Sequence, residues 1–321
     1  MQNQRLQYER IIITGASSGF GKAFARTLAS CTGELVLVAR NKEALQQLAA
    51  ELEEKHPGLR AAALPCDLAD ESALDNLAGR LLELPAAKTL LINNAGAGDY
   101  GEFSEGSWDR IRTLLRLNVE SLTRLCHAMI PGLKRNGGDI INISSLAALL
   151  PIPDFAVYAA TKAYVSSLSE ALRLELKEHG IRVLAVCPGP VSTGFGKAAR
   201  RPGFTGNMMP GRNAFDTPTE TVVNDSLRAL SRGRARVFPG MKIRLAALLL
   251  NAAPLGLIRF FMGRRPRKVQ PSPPETLPPA PSNPTAAESP ASPGSSLRSA
   301  PAWQPWRLPS SRRIRPRSSA P

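Results

Sequence analysis

The stretch "IIITGASSGFG", Ile11 to Gly21, runs from three isoleucines into a loop with glycines at positions 15, 19 and 21. A β-branched run that leads through a glycine-rich turn into a helical segment is the opening of a βαβ unit, and that reading decides the fold. The spacing G-x-x-x-G-x-G differs from the standard dinucleotide fingerprint G-x-G-x-x-G, but the order of strand, turn and helix is the same. Small residues there let the backbone and the helix start approach a pyrophosphate, which makes Gly15, Ser17, Ser18, Gly19, Phe20 and Gly21 candidate cofactor contacts. A tight turn with a purely structural role is the plain alternative.

Outward from this loop, short β-branched or apolar runs alternate with longer segments of helical period. Strands are expected at Arg10–Thr14, Glu34–Ala39, Ala61–Cys66, Thr89–Asn93, Asp139–Ser144, Arg182–Cys187 and Arg236–Phe238. Helices are expected at Phe20–Ser30, Lys42–His56, Glu71–Leu84, Ser107–Arg135 in one or two pieces, Tyr158–His179 and Pro218–Ser231. The last has Thr217 as N-cap, Pro218 at the first helical position and Glu220 completing a capping box. The pattern predicts an α/β domain over residues 1–240, Rossmann-like and doubly wound, with a seven-stranded parallel sheet and helices on both faces. Ligands of such a sheet collect beyond the carboxyl ends of its strands.

The 321 residues are 43% hydrophobic, enough for one large core and an appendage. Cys31, Cys66, Cys126 and Cys187 are dispersed with no C-x-x-C, which implies reduced core thiols and a cytoplasmic location. His56, His127 and His179 are equally scattered, so no metal is expected. The amino terminus lacks an apolar run with a cleavage site, so no signal peptide is expected. The net charge of +15 invites a nucleic-acid reading, yet residues 264–321 hold ten Lys/Arg, two acidic residues and 15 of the 28 prolines. That composition predicts a disordered basic tail. Its arginines alternate with proline and serine, with only Trp303 and Trp306 for stacking, so no nucleic-acid partner is expected.

The strand ends carry the chemistry. After "LVLVA", Arg40 offers a forked cation where an NAD enzyme would place a carboxylate, which favours a 2′-phosphate and therefore NADP(H). In "CDLAD", Asp67 is placed to accept from an adenine amino group, or serves as a helix-entry residue. Small or polar residues close the next strands in "LINNAG", "INISS" and "VCPGPVST". In "VYAATKAY", Tyr158 and Lys162 share one helix face. An ammonium ~5 Å from a phenol at an effective dielectric of ~20 favours the phenolate by roughly 3 kcal/mol, about two pKa units below the ordinary value near 10. Tyr158 would then be a working acid or base. Taken alone, the pair could equally be an exposed surface contact.

Taken together and in this order, the glycine loop, N-N-A-G, serine, Tyr-x-x-x-Lys and P-G resemble the classical short-chain dehydrogenase/reductase family from about Arg10 to Phe238. The resemblance implies that Ser145 binds the carbonyl, that Tyr158 gives or takes the proton, and that Lys162 holds the ribose and lowers the phenol pKa. It implies that Asn118 supports a water-linked proton relay and that Asn94, Ala95 and Gly96 lie beside the adenosine ribose. Pro188, Gly189 and Val191 fall in the cofactor loop after the sixth strand, where Thr193 would anchor the nicotinamide carboxamide. Ser144 is the rival for the serine role, but alternation turns adjacent side chains to opposite sides. The implied reaction interconverts a carbonyl and an alcohol with NADP(H), in a homodimer or homotetramer built on the long helices. A cofactor-sensing or scaffold protein on the same fold is the alternative.

Substrate is read in this family largely by the loop after the sixth strand, where Arg200, Arg201, Met208 and Met209 are either substrate contacts or ordinary packing. Residues 241–263 form an apolar extension, too short and broken by Asn251, Pro254 and Gly256 to span a bilayer. On a helical path Arg244, Asn251 and Arg259 make a polar stripe beside a broad apolar face. That face is either a lid over the active site or a peripheral membrane contact that admits lipophilic substrates.

Overall fold

Isoleucines 11 and 13 point to one side of a strand and Ile12 to the other, and all three are fully buried, so the sheet is covered on both faces. The computed structural model describes residues 7–191, 194–201 and 216–264. Thr193, Met208, Met209 and the tail beyond Arg264 lie outside the described residues. The strands are β1 (Arg10–Thr14), β2 (Glu34–Ala39), β3 (Arg60–Pro65), β4 (Thr89–Asn93), β5 (Gly138–Ile143), β6 (Arg182–Val186) and β7 (Arg236–Val237). They form one parallel seven-stranded sheet in the order β3-β2-β1-β4-β5-β6-β7.

The helices are α1 (Gly19–Leu28), α2 (Lys42–Lys55), α3 (Glu71–Leu82), α4 (Trp108–Leu115), α5 (Ser121–Asn136), α6 (Ala156–Glu175), α7 (Phe195–Ala198), α8 (Thr219–Ser231), α9 (Met241–Ala252) and α10 (Leu255–Gly263). Helices α1, α2 and α8 bury Phe24, Leu45, Leu48 and Val222 against Ile11, Ile13, Leu35 and Leu37 on one face. On the other, α3, α5 and α6 bury Leu77, Leu125, Met129 and Val165 against Ile12, Val36 and Leu91. Alternation along each strand therefore serves two cores at once.

Several boundaries differ from the sequence reading for local reasons. The segment 107–135 divides at a π-turn, Arg116–Glu120, and Ser107 caps α4 by accepting from the Arg110 amide at 3.4 Å. Thr217 does not cap α8: Pro218 takes the cap position in extended backbone with no side-chain bond, and the Thr217 amide donates instead to the Pro190 carbonyl at 3.3 Å. The extension after β7 is two helices bent by 114°, which carries Arg259 out of line with Arg244 and Asn251. No single described helix is long and apolar enough to cross a membrane.

Candidate active site

Strands β1 and β4 are neighbours whose chains depart to opposite sides of the sheet, so a crevice opens beyond their carboxyl ends. Thr14 ties its two walls together. Its Oγ1 accepts from the amides of Asn94 at 2.9 Å and Ala95 at 3.0 Å, while Asn94 Nδ2 donates to the carbonyls of Thr14 at 2.8 Å and Gly15 at 3.2 Å. Gly15 has a φ of 64°, and a Cβ there would come within 2.8 Å of Asn94 Nδ2. A Cβ on Gly21 would lie 2.3 Å from the Gly15 carbonyl oxygen, so Gly21 serves the packing of α1 on the loop and does not itself line the cleft.

The cleft has a volume of about 830 Å³. Gly15, Ser17, Ser18, Gly19, Phe20, Arg40, Asp67, Asn94, Ala95, Gly96, Pro188, Gly189 and Val191 line it, with Ser145, Tyr158 and Lys162. Ser18 is the N-cap of α1 but makes no side-chain capping bond, which leaves the helix start open to an anion. Arg40 stands exposed at the lip. The neighbouring Asn41 caps α2 by accepting from the Ala44 amide at 2.8 Å. Asp67 accepts from the Ala69 amide at 3.0 Å within a turn, and Asp70 is the cap of α3. A loop too tight for side chains, a free helix start and a cation at the lip fit a phosphorylated dinucleotide.

Helix α6 turns Tyr158 and Lys162 inward, both buried. The Ser145 hydroxyl accepts from the Ala147 amide at 3.1 Å and lies close enough to the Tyr158 phenol to favour its ionised form. Ser144 faces away, its Oγ donating to the Lys162 carbonyl at 2.7 Å and pairing with Ser166 Oγ at 2.8 Å. Lys162 Nζ donates to the Ile143 carbonyl at 2.9 Å and lies 5.7 Å from the centre of the Tyr158 ring. The expected lowering of the phenol pKa is reversed in the protein alone. Burial pushes Tyr158 up to about 12 although the nearby Ser145 hydroxyl acts to lower it, and burial brings Lys162 down to about 8. The ammonium lies beside the ring and against a carbonyl, so desolvation outweighs its attraction for a phenolate.

Asn118 sits in the π-turn, fully buried, and its side chain is committed. Oδ1 accepts from the Ala97 amide at 2.8 Å, and Nδ2 donates to the Ala97 carbonyl at 2.9 Å and Thr161 Oγ1 at 3.1 Å. It does not line the cleft, and the amide clamps the loop after β4 to α6.

Sequence reasoning missed the aromatic wall. The Phe155 ring stacks on Tyr158 at 4.2 Å between centroids, Phe195 leans on it at 5.5 Å, and Tyr100 lies 5.5 Å from Phe155. Ile152 and Met262 complete the apolar cluster. Single aromatics at helix starts and in loops carry no spacing signal, so nothing marked them. Asp99 was missed too: it pairs with Arg110 at 2.6 Å and Arg201 at 2.7 Å, and Arg201 also donates to the Glu102 carbonyl at 2.7 Å. Arg201 is therefore a strut that holds the segment after α7 against residues 99–102. Burial would raise the Asp99 pKa, but the two guanidiniums outweigh it and hold the carboxyl below the ordinary range.

Comparison with known proteins agrees with this geometry. The short chain dehydrogenase family model matches residues 9–202. Dehydrogenase/reductase SDR family member 7B of Bos taurus is 31% identical over 265 residues, covering 80% of this chain and 81% of its own. A short-chain dehydrogenase from Sphingobium yanoikuyae, solved in complex with NADPH, superposes with a TM-score of 0.66 at 33% identity, over 83% of this chain and 99% of its own. The bulky-bulky ketone specific alcohol dehydrogenase from Comamonas testosteroni superposes with a TM-score of 0.65 at 29% identity, over 84% and 98%. With a family model spanning more than half of its length and a relative aligned along four fifths of both sequences, this chain belongs to the short-chain dehydrogenase/reductase family of oxidoreductases.

Proposed function

We propose that this chain reduces ketones or aldehydes with NADPH, and that bulky apolar carbonyl compounds are among its substrates. The observation that carries the reading is the buried Tyr158 hydroxyl beside Ser145, in a cleft whose wall is Phe155, Phe195 and Ile152. The NADPH bound by the Sphingobium protein and the ketone specificity of the Comamonas enzyme support it. Arg40 supports the phosphorylated cofactor, because its planar fork matches a 2′-phosphate.

When bound, the cofactor supplies the hydride. Tyr158 gives the carbonyl oxygen its proton. With its pKa pushed up to about 12, the phenol stays protonated at neutral pH, a state suited to reduction more than to alcohol oxidation. Ser145 donates to the same oxygen and stabilises the charge that develops there. Lys162, brought down to about 8, is charged near neutrality yet releases a proton readily, so it can return one toward the phenol after turnover. Asn118 is a positioning residue that keeps Thr161 and the Ala97 loop in register. The exposed Trp108, Leu115 and Tyr164 on α4, the π-turn flank and α6 support a homodimer or homotetramer built on these long helices.

The test is NADPH oxidation, followed by absorbance, across a panel of small polar and bulky apolar ketones and aldehydes, with NADH in parallel. Turnover favouring bulky ketones and NADPH is the expected result. Tight cofactor binding without turnover on any carbonyl would overturn the reading in favour of a non-catalytic cofactor sensor.

A further inference from the structure

Helix α9 is apolar on the wrong side for an ordinary surface helix. Ile243 and Ala247 are buried and mark its inward face. At roughly 100° per residue the opposite face carries Met241, Leu245, Leu248 and Leu249, and the three leucines are 59, 66 and 63% exposed. Beyond the bend, α10 adds exposed Leu255, Phe260 and Phe261, while Met262 turns back into the cluster around Tyr158. The outward leucine row of α9 is an apolar face of the kind that marks an interaction site.

The charges around it select the partner. From Met241 to Arg264 there are Lys242, Arg244, Arg259 and Arg264 and no carboxylate. On the same helical wheel Arg244 and Lys242 flank the leucine face on its two sides. A second copy docked through this face would meet it with cations and offer no carboxylate in return, whereas an anionic surface complements both flanks. Arg244 also lines a cleft of about 180 Å³ between α8, β7 and α9, with Arg228, Arg232, Arg234 and Arg236. Asp225 is the one carboxylate in its lining, and it already accepts from Arg228 at 3.4 Å and the Gly240 amide at 3.0 Å. Arg236 pairs with Glu170 at 3.0 Å, but its Nε is buried without a partner among the described residues. Arg232, Arg234 and Arg244 have no ion pair among the described residues.

We propose that this face docks on an anionic phospholipid surface, with the α9 leucines in the outer acyl region and a lipid phosphate in the arginine cleft. Docking rests on the leucine face and the cleft alone. Its consequence for access, that lipophilic carbonyl compounds enter beside Met262, rests on the reaction proposed above.

The experiment sediments the full-length protein with phosphatidylcholine vesicles and with vesicles containing phosphatidylglycerol, at low and high salt. Three forms are compared: wild type, L245E/L248E/L249E and R232S/R234S/R244S. All six positions are outside the catalytic machinery, so NADPH turnover reports that each variant has folded, and a failure of the reaction itself leaves the vesicle result readable through matched thermal melts. Wild type should bind only the anionic vesicles. At high salt, which screens the attraction of the basic segment after Arg264, the leucine variant should lose about a hundredfold or more in partition. The arginine variant should lose about tenfold. Binding that vanishes at high salt equally in all forms would assign it to the basic segment and overturn the proposal. Displacement from vesicles by inorganic phosphate would overturn the lipid assignment of the cleft in favour of a soluble phosphate compound. No sedimentation by any form, with the leucine variant shifting from a larger to a smaller species in ultracentrifugation, would give the face to a second copy instead.

Discussion

Replacing Lys162 with methionine should stabilise the cofactor-free protein while destroying its activity. Lys162 is 4% exposed, and burial brings its ammonium from 10.5 down to about 8. That displacement corresponds to about 3 kcal/mol of folding free energy lost wherever both the folded and unfolded lysine would be charged. Between the folded and unfolded values the native state holds fewer protons than the unfolded chain. Wild-type stability therefore rises with pH across the window from about 8 to 10.5, and the full cost is present below it. Methionine fills much of the same volume without charge. It forfeits the 2.9 Å bond to the Ile143 carbonyl, and an orphaned buried carbonyl costs about 1–2 kcal/mol. The net gain near neutral pH is about 1–2 kcal/mol, a few degrees of Tm for a domain of this size. Calorimetric melts of both proteins at about pH 7 and about pH 10 test this, because the advantage of the variant should shrink as the wild-type lysine loses its proton. A variant that melts lower than wild type near neutrality, or an advantage independent of pH, would refute the claim that desolvation governs this site.

Tyr158→Phe should lower kcat about a thousandfold with NADPH affinity nearly unchanged by fluorescence titration; retention of most of the wild-type kcat would remove Tyr158 as proton donor. Arg40→Asp should swing the ratio of kcat/KM toward NADH by about tenfold to a thousandfold, at ~1.4 kcal/mol per tenfold, and an unchanged ratio would mean that Arg40 serves only solvent. Asp99→Asn leaves Arg110 and Arg201 around an uncharged amide, so thermal melts should show a loss of about 2 kcal/mol and steady-state kinetics a higher KM for carbonyl substrates as the segment carrying Phe195 loosens. Because the folded Asp99 carboxyl is held below its ordinary value of 3.8, the stability it contributes should be fully present above that pH and be lost only as the pH falls through the lower folded value.

The amino-acid sequence by itself determined the elements and most of the cleft lining. Strands β1, β2 and β4 begin and end as expected, and three of the four residues by which the reading overshot other strands still bond a neighbour: the amides of Cys66, Ser144 and Cys187 donate to Ala39, Val186 and Val237. These features follow from alternation and i, i+4 spacing, which act within a few residues and so can be read along the chain. The hydroxyls of Ser144 and Ser145 have different partners, the Lys162 carbonyl and Ser166 for one and the Ala147 amide for the other, in line with alternation along the strand. Tertiary structure alone decided what depends on distant segments. The strand order that opens the crevice between β1 and β4 is one such outcome, and the commitment of the Asn118 amide to Ala97 and Thr161 is another. Phe155 at the start of α6 and Phe195 at the start of α7 come from separate elements to enclose Tyr158, and arginines from α8, β7, their junction and α9 converge on one cleft. The pKa of Tyr158 shows the division most sharply. The Tyr-x-x-x-Lys spacing argues for a lowered value, because a cation lies one helical turn away. The folded protein raises it, because removing the phenol from water costs more than the ammonium, turned toward the Ile143 carbonyl, returns.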